Sequence, residues 1–304
     1  MATFRRNHHN RSRRRRWGGL VRNGLYPILL VLLILAFRHY AHLGEEAPAA
    51  DRADLREGGA EELYFLPTRK EGRLVRHRHY ALSYVERYEL AEWVAYELTG
   101  ARLQGRRVER TDDFRADPLV PGGSADPADY AGSYWDRGHL VPAADMAFSR
   151  SAMSETFFLS NVAPQAPGFN QGVWRELEEL TREWAKDAGH LYVVSGPVLE
   201  PGIREYLGRN RVAVPKHFYR VLLDLRAPER KAVAFLLPNE VTDAPLPRFA
   251  VTIDSVEQRT GLDFFPDLLE PDLEERLEGT LSLEEWEFDE RKYRLRVDKW
   301  NKRK

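Results

Sequence analysis

Residues 131–179 read AGSYWDRGHLVPAADMAFSRSAMSETFFLSNVAPQAPGFNQGVWRELEE, and the end of this block constrains the fold most. From 171 to 188, apolar residues fall at Val173, Trp174, Leu177, Leu180, Trp184 and Ala185, the three-four spacing of a helix buried along one side, and Gly189 closes it. Such a stripe needs an apolar partner layer. Residues 191–195, 218–225 and 231–237 supply one, being rich in Val, Leu, Phe and Tyr and separated by Gly, Pro or charged turns. Upstream, 80–88 and 93–98 read as further strands, with 89–92 as a turn or short helix between them and 122–127 as a loop. A shorter helix is predicted over 251–261, with Thr252 as N-cap and Gly261 as its end. The pattern predicts an α+β fold, a central antiparallel β-sheet flanked by helices.

The 304 residues, 43% apolar, are enough for a sizeable core, and the absence of cysteine excludes disulfides, thiolate metal sites and a cysteine nucleophile. The net charge of −1 hides a split. Residues 1–40 hold nine Arg and no acid, leaving 37 basic against 47 acidic residues, a net of −10, in the remainder. A body of that charge binds a polyanion only if its basic side chains gather on one face.

The basic head, 1–22, runs into fifteen uncharged residues, NGLYPILLVLLILAF. Basic head then apolar run is a membrane-targeting pattern. A cleavage site should follow directly, but Arg38, His39 and Tyr40 come there and the nearest Ala-x-Ala, Ala47 to Ala49, lies farther on. The expectation is therefore an uncleaved anchor at 23–40, rather than a secreted form, with the body held outside the cytoplasm. A polar linker (41–61), a folded domain (62–270) and a charged C-terminal extension (271–304) complete the expected organisation.

Cleaving a phosphodiester takes a base to activate water, a cation to neutralise charge on the phosphorane oxygens and a group to stabilise the leaving oxygen. His139 can be the base, since imidazole titrates near neutrality. Asn170 offers a hard carbonyl oxygen suited to Mg²⁺, with Mn²⁺ as a substitute, whereas a single histidine in this block and no cysteine in the chain argue against zinc. Glu178, eight residues on, falls within about 80° of Asn170 around a regular helix, where its carboxylate can hold a water of the ion's shell. Arg137 suits a phosphate clamp. Asp136 is expected to fix the loop by pairing with backbone amides or an arginine. Asn161 and Gln165 are expected to hold the His139 segment by hydrogen bonds. Taken singly, each has a plainer reading: His139 a structural histidine, Asn170 a helix N-cap, Glu178 a surface carboxylate, Arg137 half of a salt bridge.

Their order decides between the readings. Asp136-Arg137-Gly138-His139-Leu140, Pro142 to Met146, Ser160 to Gln165, Asn170 to Trp174 and Leu177-Glu178 together resemble the DNA/RNA non-specific endonuclease family, the group with a ββα-metal finger that includes Serratia nuclease and endonuclease G. The likeness covers about 62–268. It implies the catalytic His139 on the finger's hairpin, Asn170 on its helix as direct Mg²⁺ ligand, Glu178 acting through water, and Arg137 at the phosphate or leaving group. It also implies a further upstream arginine, for which Arg110 and Arg115 both compete. The implied substrates are DNA and RNA. Two other readings remain open at this point: a nucleic-acid-binding surface module of nuclease descent, and a phosphodiesterase for small nucleotides.

Overall fold

The computed structural model describes residues 64–228 and 230–302. The head, apolar segment and linker expected at 1–61 lie outside them. In chain order the strands are Arg73–Arg76 (β1), Ala81–Val85 (β2), Leu90–Thr99 (β3), Asp136–His139 (β4), Val162–Gln165 (β5), His190–Pro197 (β6), Tyr206–Leu207 (β7), Val212–Ala213 (β8), His217–Asp224 (β9), Lys231–Pro238 (β10) and Ala250–Val251 (β11). The α-helices are Gly100–Gln104 (α1), Arg150–Glu155 (α2), Arg175–Ala188 (α3), Ile253–Thr260 (α4), Pro271–Gly279 (α5) and Glu290–Leu295 (α6). Seven strands form one sheet in the order β1-β2-β3-β6-β9-β10-β11, antiparallel throughout. The expected α+β architecture is what forms.

Strand alternation divides the core into two layers. Along β3, Val94, Tyr96 and Leu98 join the cluster containing Trp174, Leu177, Leu180 and Trp184 around α3. Their neighbours Trp93 and Ala95 join the other cluster, with Ile253 and Val256 of α4 and Leu277 of α5. In β9, Phe218 and Leu222 face the α3 layer, whereas Tyr219, Val221 and Leu223 face the α4 layer. The same period of two places Arg220, between Phe218 and Leu222, on the α3 side. There it is fully buried.

Helix α4 starts where the sequence places it, the Thr252 hydroxyl accepting from the Ser255 amide, and ends at Gly261 with φ of 74°. The helix expected over 171–188 differs at its head. Regular α-helix begins at Arg175, and Phe169–Trp174 form a wider π turn in which Gly172 leaves helical geometry (φ −106°, ψ −109°). The C-terminal extension comes close here, since a Cβ on Gly172 would stand 2.6 Å from Asn301 Oδ1.

That segment is built into the body. Trp286 is 2% exposed and packs edge-on to Trp184 of α3 at 5.1 Å, while the Trp184 indole N–H donates to the Glu287 carbonyl at 2.8 Å. Arg296, fully buried, pairs with Glu176 of α3 and donates to the carbonyls of Thr242 and Ala244. Lys292 bridges Glu179 and Glu183 on the same helix, and the Arg175 guanidinium lies over the Trp300 ring. Trp286→Ala is therefore expected to cost about 3–5 kcal/mol in urea unfolding. Leu281→Ala in the same extension, exposed at its position, should change stability by no more than about 0.5 kcal/mol.

Candidate active site

The hairpin-like pair β4-β5 sits apart from the main sheet, with Asp136 opposite Gln165 and His139 opposite Val162. Two ties hold it to the helical side. The Trp174 indole N–H donates to the His139 carbonyl at 3.3 Å. The second tie is Asp136, whose Oδ2 accepts from Asn170 Nδ2 and from Gln171 Nε2, both at 2.9 Å. The sequence expectation for Asp136, a partnership with backbone amides or an arginine, is corrected here: its partners are two side-chain amides on the π turn.

This contact sets the orientation of Asn170. An ionised carboxylate only accepts, so the group facing Asp136 must be the amide NH₂ and the carbonyl Oδ1 must turn away from it. Asn170 is not an N-cap, since neither the π turn nor α3 has a side-chain cap. Because the turn is π rather than α, the 80° relation to Glu178 counted on a regular helix does not hold either.

His139 is 8% exposed, its Nε2 buried without a hydrogen-bond partner. Its ring meets Phe157 edge-on at 4.9 Å and tilts against Phe114 at 5.4 Å. Burial, and after it the guanidinium charges of Arg110 and Arg137, bring its pKa down from 6.5 to about 3, so the ring is neutral. The Phe114 ring also lines an open cleft, together with Arg110, Asp112, Trp135, Asp136, Arg137 and Asn170. Arg137 lies over the Phe114 ring at 4.1 Å and Arg110 over Phe157 at 4.8 Å, with Arg110 also paired to Asp112. These two arginines are the cationic groups of the cleft lining, which also holds Asp112 and Asp136.

Arg115 is placed differently. Its guanidinium is taken up by Asp113, by the carbonyl and hydroxyl of Ser154 and by the Phe158 ring, outside the cleft lining. Of the two upstream candidates, the geometry favours Arg110. Asn161 is fully buried: its Oδ1 accepts from the Val141 amide, and its Nδ2 donates to the carbonyls of Val141 and Thr156. The hydrogen bonds expected of Gln165 are not formed, both polar atoms of its side chain lacking partners. It lies flat over Gly138, where any Cβ would collide with it. Its contribution is to require glycine before His139.

Glu178 is half-buried, and burial pushes its carboxyl up to about 7 against the opposing pull of Arg220 and Arg182. Those arginines belong to a charged layer that sequence reasoning missed. Arg220 donates to Ser195 Oγ at 3.0 Å and to the Leu140 carbonyl at 3.2 Å, and stacks over Trp174 at 4.7 Å. Arg182 pairs with buried Asp145 at 2.9 Å, which also accepts from the Tyr96 hydroxyl at 2.7 Å. The available signal was a lone arginine inside the apolar run FYRVLL, which the alternation of β9 directs inward.

Residues 63–270 match the sequence profile of the DNA/RNA non-specific endonucleases. The chain belongs to the DNA/RNA non-specific endonuclease family. It is 40% identical to human mitochondrial endonuclease G over 203 residues, covering 62% of this chain and 68% of that protein. Against mitochondrial nuclease EXOG of Danio rerio it is 36% identical over 232 residues, covering 71% and 64%. Nuclease C1 of Cunninghamella echinulata is 38% identical over 204 residues, covering 62% of this chain and 81% of the relative. Among solved structures, EndoG from its complex with EndoGI superposes with a TM-score of 0.63 at 33% identity, covering 69% of this chain and 91% of that one. Family membership makes the protein a nuclease, a hydrolase of phosphodiester bonds. The expected membrane-anchored, extracytoplasmic location is overturned: endonuclease G and EXOG are mitochondrial proteins, and no helix among the described residues is long and apolar enough to cross a membrane.

The neutral, buried His139 has a consequence for stability in metal-free buffer. The unfolded ring titrates near 6.5 and the folded ring near 3, so between these values the unfolded chain binds more protons. This contribution is complete above pH 6.5 and is lost as pH falls toward 3. Wild type is expected to lose about 2 kcal/mol more than His139→Gln between pH 7 and pH 5 in urea titrations with chelator present.

Proposed function

We propose that the protein is a Mg²⁺-dependent, sugar-non-specific endonuclease that cleaves DNA and RNA, with His139 as general base. The observation that carries this reading is the amide oxygen of Asn170, turned away from Asp136 on the same hairpin that bears the unpartnered Nε2 of His139. One hard carbonyl oxygen with a carboxylate nearby in the chain suits an ion that keeps most of its waters. Bound there, Mg²⁺ would supply Lewis-acid stabilisation of the phosphorane oxygens. Mn²⁺ shares that oxygen chemistry and should substitute.

The chain's own residues supply the rest. Neutral His139 takes the proton from the attacking water at Nε2, and its burial keeps that nitrogen free of competing partners. Glu178 offers a carboxylate to orient water beside Asn170. Arg137 and Arg110, on the cleft rim, bind phosphate oxygens and offset developing charge, and neither contact reads a base or a 2′-hydroxyl. That is the physical basis for indifference to sugar. Arg115 serves the fold of this wall rather than the substrate.

A surface that only binds nucleic acid gains nothing from a buried imidazole with an unpartnered nitrogen, which favours the enzyme over the binding module. Plasmid DNA and RNA are incubated with the full-length protein and with His139→Ala, each with Mg²⁺ or chelator. The expected outcome is cleavage of both polymers by wild type, none with chelator, and a rate reduced about 10²–10⁴-fold in His139→Ala. Equal cleavage by the two proteins, or cleavage unaffected by chelator, contradicts the mechanism. Hydrolysis confined to small phosphodiesters would contradict the substrate class.

A further inference from the structure

On the α4 side of the sheet, away from the nuclease layer, Glu278 occupies the last turn of α5. It is 4% exposed, and its Oε1 has no hydrogen-bond partner. A lone buried carboxylate of this kind is costly unless a cation or a proton accompanies it. Asp254 and Glu257 on α4 face it, and one carboxylate oxygen from each of the three lies within 4.8 Å of the other two. Exposure is graded, with Asp254 exposed, Glu257 half-buried and Glu278 buried, so the group opens from solvent inward. Glu257 is already oriented, because its Oε1 accepts from the Phe264 amide at 2.7 Å.

Cationic side chains do not answer this charge. Among the described residues no ion pair joins Asp254, Glu257 or Glu278 to Lys or Arg, and Lys70, at the end of α4, donates to the Thr260 carbonyl instead. Burial, and after it the charges of Glu257, Glu274, Asp263 and Asp254, push the Glu278 carboxyl up to about 9. Three carboxylates gathered by the protein suit Ca²⁺, which takes about six to eight oxygens in a flexible geometry, whereas Mg²⁺ keeps several waters and usually takes only one or two carboxylates.

We propose that Asp254, Glu257 and Glu278 form a second cation site that takes Ca²⁺, separate from the nuclease centre and linking α4 to the C-terminal extension. Asp254 and Glu257 lie inside the family match, which ends at residue 270, and Glu278 lies beyond it. The site thus joins the shared body to a segment of this chain outside the family pattern. A bound ion would replace the proton on Glu278 and cross-link α5 to α4.

The inference is independent of the cleavage chemistry, and its test reads binding rather than activity. Full-length protein carrying Asn170→Ala, which removes the ligand proposed at the nuclease centre, is dialysed to equilibrium against radioactive Ca²⁺, and its Tm is followed with CaCl₂. The expected result is one Ca²⁺ per chain and a Tm raised by several degrees. Adding Glu278→Gln should abolish both effects while leaving Tm in chelator equal or higher, because a neutral amide replaces a buried acid. Asp254→Asn should weaken binding at least tenfold. Absence of bound Ca²⁺ in the Asn170→Ala protein overturns the proposal. So does binding that survives Glu278→Gln, and so does a Glu278→Gln gain in Tm without any Ca²⁺ response in the parent, which would make the cluster a proton-sharing one.

Discussion

One carboxylate, Asp136, accepts two amide protons from the π turn, and the candidate active site depends on that contact. The hairpin β4-β5 carries the histidine and the turn before α3 carries the asparagine, yet β4-β5 is not hydrogen-bonded into the main sheet. Something must set their relative position, and Asp136 does so from the hairpin side while the Trp174–His139 bond does so from the helix side. Both amides meet an acceptor that carries a full charge, the stronger class of hydrogen bond. The same contact decides which end of the Asn170 amide is free. A structural tie and a chemical orientation are here a single interaction.

Beneath this junction lies charge that the fold has to justify. Arg220 and Arg296 are fully buried, and Asp145 and Glu176 nearly so, all packed beside or against α3. A buried ion pair adds little net stability over an apolar pair of similar shape, but breaking it is costly. Such groups specify position more than they add stability. Arg220 reaches the carbonyl that follows His139, while Arg296 and Asn301 bring the C-terminal extension against the start of α3 and the π turn. At Gly172, where the turn leaves helical geometry, Asn301 Oδ1 lies 2.6 Å from where a Cβ would stand.

The parts of this architecture governed by local periodicity were legible in the sequence. Alternation in 218–225 and 231–237 and the cap at Thr252 reappear as β9, β10 and α4 because burial on one face and a satisfied end amide are local requirements. Motif order carried the positions of His139 and Asn170. What could not be read were the features decided by distant contacts. The π turn escapes a 3.6-residue count, which cannot detect an added residue per turn. Choosing Arg110 over Arg115 required seeing that Asp113 and Ser154 occupy Arg115. Gln165, a good hydrogen-bonding residue on paper, acts through its bulk against Gly138. Asp136 was recognised as structural, but its partners 34 and 35 residues away are not inferable from its neighbours.

The most direct measurement of the central claim is the Mg²⁺ dependence of plasmid cleavage by Asp136→Leu beside wild type. If Asp136 fixes the Asn170 amide for the ion, the substitution should raise the Mg²⁺ concentration for half-maximal activity about tenfold or more, with part of the lost rate recovered at saturating Mg²⁺. An unchanged Mg²⁺ requirement in a folded Asp136→Leu protein would contradict the account.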